Sequence, residues 1–238
     1  MSVVLAAESI AKSYGYRRVL TSASLRAVSG EIRVLFGRNG IGKSTLLKIA
    51  AGWIAADGGA VHFAGRVYLS PSLTSLTRRG LFYLPDQDLL STAFTIRRQL
   101  TMMRDQFDGA DVEEAAGQVG ISDHLDKRPT ALSSGELRRA ELAAVIVRRP
   151  TCLLADEPYR GIAPKDAEQL TRIFAAMAAT GMAVVVTGHE VPTLLAAATH
   201  ISWCTSGTTY DLGPPALARQ HHEFRKDYLG PWSSIPAI

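Results

Sequence analysis

The stretch GRNGIGKST, residues 37–45, decides the fold class of this chain, because it matches the pattern G-x-x-x-x-G-K-[ST] in full. The apolar, β-rich run Ile32–Phe36 precedes it, and a helical pattern over Leu46–Ala51 follows it and is closed by Gly52. A strand, a glycine-rich loop and a helix in this order let backbone N–H groups converge on phosphate oxygens. A simple glycine-rich turn would explain the glycines, but not the lysine and the hydroxyl residue that follow them.

This loop predicts a binding site for a nucleotide polyphosphate. We expect Lys43 to reach the β- and γ-phosphates and to take part in catalysis, and we expect the Ser44 hydroxyl to ligate Mg²⁺. The N-terminus of the following helix adds a favourable dipole. The predicted nucleotide-binding residues of the loop are Gly37, Arg38, Asn39, Gly40, Ile41, Gly42, Lys43, Ser44 and Thr45.

A second motif, Leu153-Leu154-Ala155-Asp156-Glu157, places two carboxylates directly after an apolar strand. In open α/β folds the carboxyl ends of parallel strands share one edge of the sheet, where ligands bind. We therefore predict that Asp156 holds Mg²⁺ and that Glu157 acts as the general base that polarises the attacking water. Taken alone, the two carboxylates could simply cap the end of a strand.

The rest of the chain alternates between strand and helix patterns. Short strands are expected over residues 3–36, strands and turns over residues 57–85, and mainly helices over residues 89–150. Beyond these we predict a strand at Thr151–Ala155, a helix at Pro164–Thr180 and a strand at Met182–Thr187. Strands that alternate with helices imply a parallel sheet covered on both faces.

Composition excludes several classes of protein. The chain has 238 residues, of which 47% are apolar and 20% are charged, so it is neither disordered, collagen-like nor a disulfide scaffold. Two cysteines, Cys152 and Cys204, cannot form a disulfide framework, and a reducing compartment is the default. The net charge of +4 suits a solvated surface, a polyphosphate ligand or a nearby anionic membrane. The apolar, uncharged stretch Ile173–Gly188 is too short to cross a bilayer, and the N-terminus lacks the basic region of a signal peptide.

A third segment, Leu132-Ser133-Ser134-Gly135-Glu136, resembles the LSGGQ signature of the ATP-binding-cassette (ABC) ATPases. It precedes Asp156 by 24 residues, the usual interval of that family. The residues Leu137–Arg149 have a helical pattern, which puts the signature at a helix N-terminus, where anions bind. The resemblance extends over Val3 to about Gly230.

The resemblance implies roles for residues outside the three motifs. Tyr14 matches the aromatic that stacks on adenine, although it could be an ordinary strand residue. His189 matches the switch histidine that contacts the γ-phosphate, although a histidine at a strand end can be a surface residue. Ser133, Ser134 and Gly135 are expected to contact the γ-phosphate of ATP that is bound to a second subunit.

The chain departs from the family pattern at three positions. Ser134 stands where the signature usually has a second glycine, and Ala163 replaces the aspartate of the D-loop. In the Q-loop, Asp86 takes the glutamine position and Gln87 comes one residue late, so either could reach Mg²⁺. We predict that Gln87 contacts the metal, because a third carboxylate beside Asp156 and Glu157 would repel the triphosphate. Asp86 is then expected to face a transmembrane partner.

The implied fold is an α/β P-loop NTPase: a RecA-like core with a mostly parallel sheet, an N-terminal antiparallel β subdomain and a helical subdomain. We expect a single ABC ATPase domain over residues 1–238, with residues 1–88 and 151–238 as the core and residues 89–150 as the helical subdomain that carries the signature. The segments Glu157–Pro164 and Asp227–Gly230 look like those of ATPase subunits from branched-chain amino-acid importers and lipopolysaccharide-export systems.

The implied function is that of an ATP-binding and ATP-hydrolysing transporter subunit, with ATP and Mg²⁺ as ligands. Its partners would be a transmembrane permease on a separate chain and a second ABC ATPase subunit, identical or different. It would lie peripherally on the cytoplasmic face of the cell membrane. A soluble single-cassette ATPase with an assembly or regulatory role is the alternative, and the signature and Glu157 disfavour a small-molecule kinase. No nucleic-acid partner is expected, and no histidine has the spacing of a zinc site with cysteine.

Overall fold

The computed structural model describes residues 2–229. Ten strands in this range form one sheet, and the predicted phosphate loop follows the third of them. The strands are β1 (Val3–Tyr14), β2 (Arg17–Val28), β3 (Ile32–Phe36), β4 (Gly58–Phe63), β5 (Arg66–Tyr68), β6 (Leu81–Leu84), β7 (Cys152–Ala155), β8 (Ala183–Thr187), β9 (His200–Thr205) and β10 (Thr208–Gly213). Their order in the sheet is β5-β4-β1-β2-β10-β9-β3-β8-β7-β6.

The helices are α1 (Lys43–Ala50), α2 (Leu73–Thr77), α3 (Ile96–Phe107), α4 (Val112–Val119), α5 (Ser134–Arg148), α6 (Pro164–Ala179), α7 (Val191–Ala197), α8 (Pro215–Ala218) and α9 (His222–Phe224). Short 3₁₀ turns at Ser122–His124 and Pro129–Ala131 join α4 to α5, and a π-helical turn at Arg225–Leu229 follows α9. None of the helices within residues 2–229 is long and apolar enough to span a bilayer.

The sheet has a parallel part and an antiparallel part. Strands β9, β3, β8, β7 and β6 are neighbours and pair in parallel. Strand β1 pairs antiparallel with β2 and β4, and β4 pairs antiparallel with β5. A short parallel contact between Thr208 and Ser22 joins the two parts. This confirms the predicted α/β fold, with a mostly parallel core and an N-terminal antiparallel part.

The expectation of short strands over residues 3–36 was wrong for β1 and β2, which are twelve residues long. Their pairing register shifts between Ala7 and Ile10, where Ser9 has a φ of 53°. Such a bulge interrupts the alternation of apolar and polar residues, so one long strand has the sequence pattern of two short ones.

Two helices begin earlier than their periodicity indicated. Helix α1 begins at Lys43 rather than Leu46, because its N-terminal turn is part of the phosphate loop. Helix α5 begins at Ser134 rather than Leu137, because Ser133 caps it.

Helix α2 lies in a region for which strands and turns were expected, and the Ser72 hydroxyl caps it by accepting from the Ser75 N–H.

Apolar side chains cover both faces of the sheet, as the strand–helix alternation predicts. One cluster contains Phe36, Leu84 and Ala155 together with residues of α3, α4, α5 and α6. The other contains Leu35, Leu154 and Val185 with α1 and the antiparallel strands. Because α3, α4 and α5 share a core with the sheet, the division at residues 89–150 stays a proposal.

The C-terminal segment packs against the strand that leads into the phosphate loop. Phe36, the last residue of β3, contacts the rings of Phe224 and Tyr228 at centroid distances of 5.4 and 5.6 Å. Arg38 of the loop forms a 2.9 Å ion pair with Asp227. Gly230, at the end of the predicted family-like segment, lies outside the described residues.

Candidate functional site

The phosphate loop, Asp156 and Thr187 follow or end the neighbouring parallel strands β3, β7 and β8. Parallel strands place their carboxyl ends at one edge of the sheet, where ligands bind in folds of this type. The structure therefore brings the two motifs together at the edge that the sequence predicted.

Gly42 shows why the loop needs glycine. Its φ of 116° is a conformation that L side chains rarely adopt, and a Cβ there would lie 2.8 Å from Leu20 Cδ2. The loop therefore packs closely against β2, a strand of the antiparallel part of the sheet. Helix α1 begins immediately after Gly42, without a side-chain cap, so its first N–H groups are free to meet an anion.

Lys43 is buried, and its ammonium group lies inside the loop. Nζ donates to the carbonyl oxygens of Gly37 at 2.7 Å and Arg38 at 3.3 Å. Burial lowers the pKa of Lys43, and the nearby carboxylates Glu157 and Asp156 oppose that effect. The loop thus holds a desolvated cation where the oxygens of a bound polyphosphate would lie.

Asp156 is buried and accepts three hydrogen bonds. Its Oδ1 accepts from Ser44 Oγ at 2.9 Å and from Thr187 Oγ1 at 2.7 Å, and its Oδ2 accepts from Tyr83 OH at 3.1 Å. Burial and the adjacent Asp156 carboxylate raise the pKa of Tyr83 well above its usual value, so the phenol remains a donor. These contacts fix the carboxylate beside the hydroxyl of the phosphate loop.

Sequence reasoning missed Tyr83 and Thr187. Tyr83 lies on β6 opposite Leu154, and Thr187 is the last residue of β8. Both strands flank β7, so a polar residue near the end of either could have been recognised once the strand order was known. The sequence does not state that order.

Glu157 has a left-handed backbone, with a φ of 46°, and its N–H donates to Thr187 Oγ1 at 3.0 Å. Thr187 therefore links the backbone of Glu157 to the side chain of Asp156. The Glu157 side chain is mostly buried, and its Oε2 lies 3.8 Å from Nδ1 of the half-exposed His189. Nε2 of His189 lies 3.4 Å from Glu190 Oε1. The two predicted catalytic residues Glu157 and His189 are thus neighbours, and their roles stay predictions.

Tyr14 lies half-exposed at the end of β1, where it pairs with Arg17 across the β1–β2 hairpin. The Lys12 ammonium lies 5.7 Å from the centroid of its ring. Arg17, which sequence reasoning missed, donates from Nη2 to the Gly40 carbonyl of the phosphate loop at 3.3 Å. The hairpin that carries Tyr14 is thereby held against the loop.

The two Q-loop residues, Asp86 and Gln87, have different surroundings. Gln87 is exposed, and its side chain makes no hydrogen bond with a residue of the described chain. Asp86 Oδ2 lies 3.2 Å from Arg160 Nη1, on the loop that follows Glu157. Arg160 thus offers the Asp86 carboxylate an opposite charge, and the expected roles of Asp86 toward a transmembrane partner and of Gln87 toward the metal stay predictions.

The signature lies at the N-terminus of α5, which confirms that part of the prediction. Ser133 and Glu136 form a reciprocal capping box. The Ser134 hydroxyl donates to the Gly161 carbonyl at 3.1 Å, on the D-loop side. A Cβ on Gly135 would require the carboxylate of Asp166 to move. Among residues 2–229 no hydrogen bond or ion pair joins the signature to the phosphate loop.

A phosphate loop after β3, joined to a carboxylate after the parallel strand β7, defines the class of P-loop nucleotide-binding proteins. More narrowly, residues 20–160 match the family model described as "ABC transporter", and the chain belongs to that family as an ATP-binding subunit.

Relatives and solved structures agree. The chain is 30% identical to the lipopolysaccharide export system ATP-binding protein LptB of Escherichia coli K12, over 95% of this chain and 97% of that protein. It is 28% identical to the zinc import ATP-binding protein ZnuC of Halorhodospira halophila, over 96% of this chain and 85% of that protein. The ADP conformation of MJ1267, an ATP-binding cassette of an ABC transporter, superposes with a TM-score of 0.85 at 19% identity, over 97% of this chain and 100% of that chain. That likeness shows the fold, and the LptB similarity agrees with the predicted subgroup.

Proposed function

We propose that this chain hydrolyses ATP and that it drives a transporter whose transmembrane subunit is a separate protein. The observation that carries the proposal is the joining of the phosphate loop to the strand-end carboxylate through Ser44 Oγ and Asp156 Oδ1, 2.9 Å apart. Lys43 and Glu157 lie beside this pair, so the edge of the sheet holds groups suited to binding, to charge neutralisation and to proton transfer.

The residues present fit Mg²⁺. A serine hydroxyl and a carboxylate are hard oxygen ligands, and magnesium commonly binds one or two protein carboxylates beside phosphates and water. Ser44 and Asp156 would hold the ion, with Gln87 as the predicted Q-loop ligand. When bound, the ion neutralises charge on the phosphate oxygens.

The chain's own residues supply the remaining chemistry. Lys43 exchanges its two loop carbonyls for the β- and γ-phosphate oxygens. Glu157 accepts a proton from the water whose oxygen forms the new bond to the γ-phosphorus, while the bond to the ADP oxygen breaks. Thr187 orients Glu157, because the Thr187 hydroxyl accepts a hydrogen bond from the Glu157 backbone N–H. His189 donates a hydrogen bond to the γ-phosphate and stabilises the charge there.

A second subunit completes the site. Ser133, Ser134 and Gly135 lie at the start of α5, whose helix dipole favours an anion. Within the described part of the chain they make no hydrogen bond with their own phosphate loop. We infer that they contact the γ-phosphate of ATP bound to a partner cassette, identical or different. ATP then stabilises the closed dimer, and hydrolysis removes that link.

A groove between the sheet and the helices of residues 89–150 offers a surface for the transmembrane subunit. Its lining is largely aromatic and aliphatic and includes Trp53, Tyr83, Leu89, Met103 and Phe107. The guanidinium of Arg148 lies 3.8 Å from the ring centroid of Phe107. We infer that a helical segment of the permease docks there and that this chain lies on the cytoplasmic face of the membrane.

Two measurements test the proposal. The Lys43→Ala variant should lose ATPase activity, whereas Lys48→Ala, which removes another lysine from the same helix, should retain it. ATPase activity in Lys43→Ala equal to that of the wild type would overturn the ATPase assignment. Purification from membranes should recover the chain with a polytopic protein. Recovery only from the soluble fraction, without such a protein, would favour the soluble ATPase instead.

A further inference from the structure

Asp86 introduces a negative charge at the edge of the sheet that carries Asp156 and Glu157. It follows β6, which pairs in parallel with β7, so Asp86 and Asp156 follow neighbouring strand ends. Asp156 and Glu157 already bring two carboxylates to this edge of the sheet. A nucleotide triphosphate is a polyanion, so an uncompensated third carboxylate would oppose its binding.

Hydrogen bonds from helix α5 hold the backbone of Asp86 in place. Arg138, which is buried, donates from Nη1 to the Pro85 carbonyl at 3.0 Å and from Nη2 to the Asp86 carbonyl at 2.8 Å. Arg138 also pairs with the buried Glu141 at 2.7 Å. Because Arg138 of helix α5 fixes the main chain, the side-chain torsions of Asp86 decide whether its carboxylate points toward Asp156 and Glu157 or away from them.

Arg160 is the residue that decides this orientation. Its guanidinium lies on the loop between Glu157 and α6 and forms the 3.2 Å ion pair with Asp86. The two side chains are 53% and 37% exposed, so the pair contributes little to stability by itself. Its electrostatic effect on a nearby polyanion does not require burial, since charges act over about 10 Å at moderate ionic strength.

We propose that Arg160 is a positioning residue that draws the Asp86 carboxylate onto the Glu157 loop and cancels its charge, so that a nucleotide triphosphate can bind beside it. The inference rests on the proposed function and goes beyond it, because it assigns a role to a residue outside the phosphate loop, the strand-end carboxylates, the signature and the switch histidine. Arg160 acts through Asp86. Removing the carboxylate should therefore correct the loss of the guanidinium.

The test is a double-mutant cycle on nucleotide affinity. Binding of a fluorescent ATP analogue is titrated with Mg²⁺ present, without reliance on hydrolysis. Arg160→Ala should raise the Kd about fivefold, since a free carboxylate then faces the triphosphate. Asp86→Asn should lower the Kd slightly, and Arg160→Ala combined with Asp86→Asn should return it to within about twofold of the wild type.

Two further variants separate charge from shape. Arg160→Lys retains the charge and should bind the analogue more tightly than Arg160→Gln, which keeps part of the stem without the charge. Arg172→Ala removes an exposed charge from the middle of α6 and should bind as the wild type does, which controls for net charge.

An unchanged Kd in Arg160→Ala would overturn the inference, as would an equal loss in Arg160→Ala and in the double variant, because that result marks a structural role. Wild-type protein that binds no analogue would overturn the proposed function and this inference with it. Wild-type binding with an unaffected Arg160→Ala variant would overturn this inference alone.

Discussion

The Ser44 hydroxyl donates a 2.9 Å hydrogen bond to Asp156 Oδ1, although the two residues are 112 positions apart in the chain. Ser44 belongs to the first turn of α1, and Asp156 follows β7. This contact joins the phosphate loop to the strand-end carboxylate.

Asp156→Asn should raise the Mg²⁺ concentration needed for half-maximal ATPase activity by about tenfold, because the amide removes the one buried carboxylate that faces Ser44. A Mg²⁺ titration of the steady-state rate measures this. Asp105→Asn, an exposed position on α3, is the matched control. An unchanged Mg²⁺ requirement in Asp156→Asn would exclude Asp156 as a ligand.

Glu157→Gln should retain ATP binding and stop turnover, because the substitution keeps the size of the side chain and removes the base. Size-exclusion chromatography with ATP and Mg²⁺ should then show a shift from monomer to dimer. A variant that hydrolyses ATP normally and stays monomeric would show that Glu157 is not the base.

The two Q-loop residues should differ in their effect on metal binding. We expect Gln87→Ala to raise the Mg²⁺ requirement more than Asp86→Ala, because Asp86 is engaged by Arg160 and a neutral amide ligates Mg²⁺ without repelling the triphosphate. The same Mg²⁺ titration compares them. The reverse order would mean that the carboxylate, not the amide, reaches the metal.

Gly42→Ala should destabilise the protein by about 1–3 kcal/mol, because the new Cβ meets Leu20 and the left-handed backbone disfavours any side chain. Thermal unfolding and nucleotide titration should both report the loss. Gly117→Ala is the control: it lies inside helix α4 with its nearest neighbour at 3.9 Å, and should raise stability by about 0.5–1 kcal/mol. Equal melting temperatures for the two variants would contradict this account of the loop.

Neither cysteine should react with an alkylating reagent in the folded protein. Burial raises the pKa of Cys152 to about 12 and that of Cys204 to about 11, so few thiolates form at pH 8. Mass spectrometry after iodoacetamide treatment should find both thiols unmodified until denaturant is added. Rapid alkylation of either one under native conditions would show that the strand carrying it opens.

Features that depend on neighbouring residues could be predicted from the sequence. The order of strand, glycine loop and helix around Lys43 was predicted correctly because the motif specifies its own backbone. The helical pattern of Leu137–Arg149 placed the signature at the N-terminus of α5, and the structure adds that Ser133 and Glu136 cap this helix together. The long strand β1 was missed because the bulge at Ser9 disrupts its periodicity.

By itself, the sequence determined the phosphate loop, the carboxylates at the end of β7 and the membership of the family, because each depends on residue types at short, set spacings. Only the tertiary structure decided that Tyr83 and Thr187 hold Asp156, that Arg17 supports Gly40 and that Asp86 pairs with Arg160. These pairs meet across strands and loops that are distant in sequence. Their proximity follows from the order of strands in the sheet, which is set by long-range packing and not by local pattern.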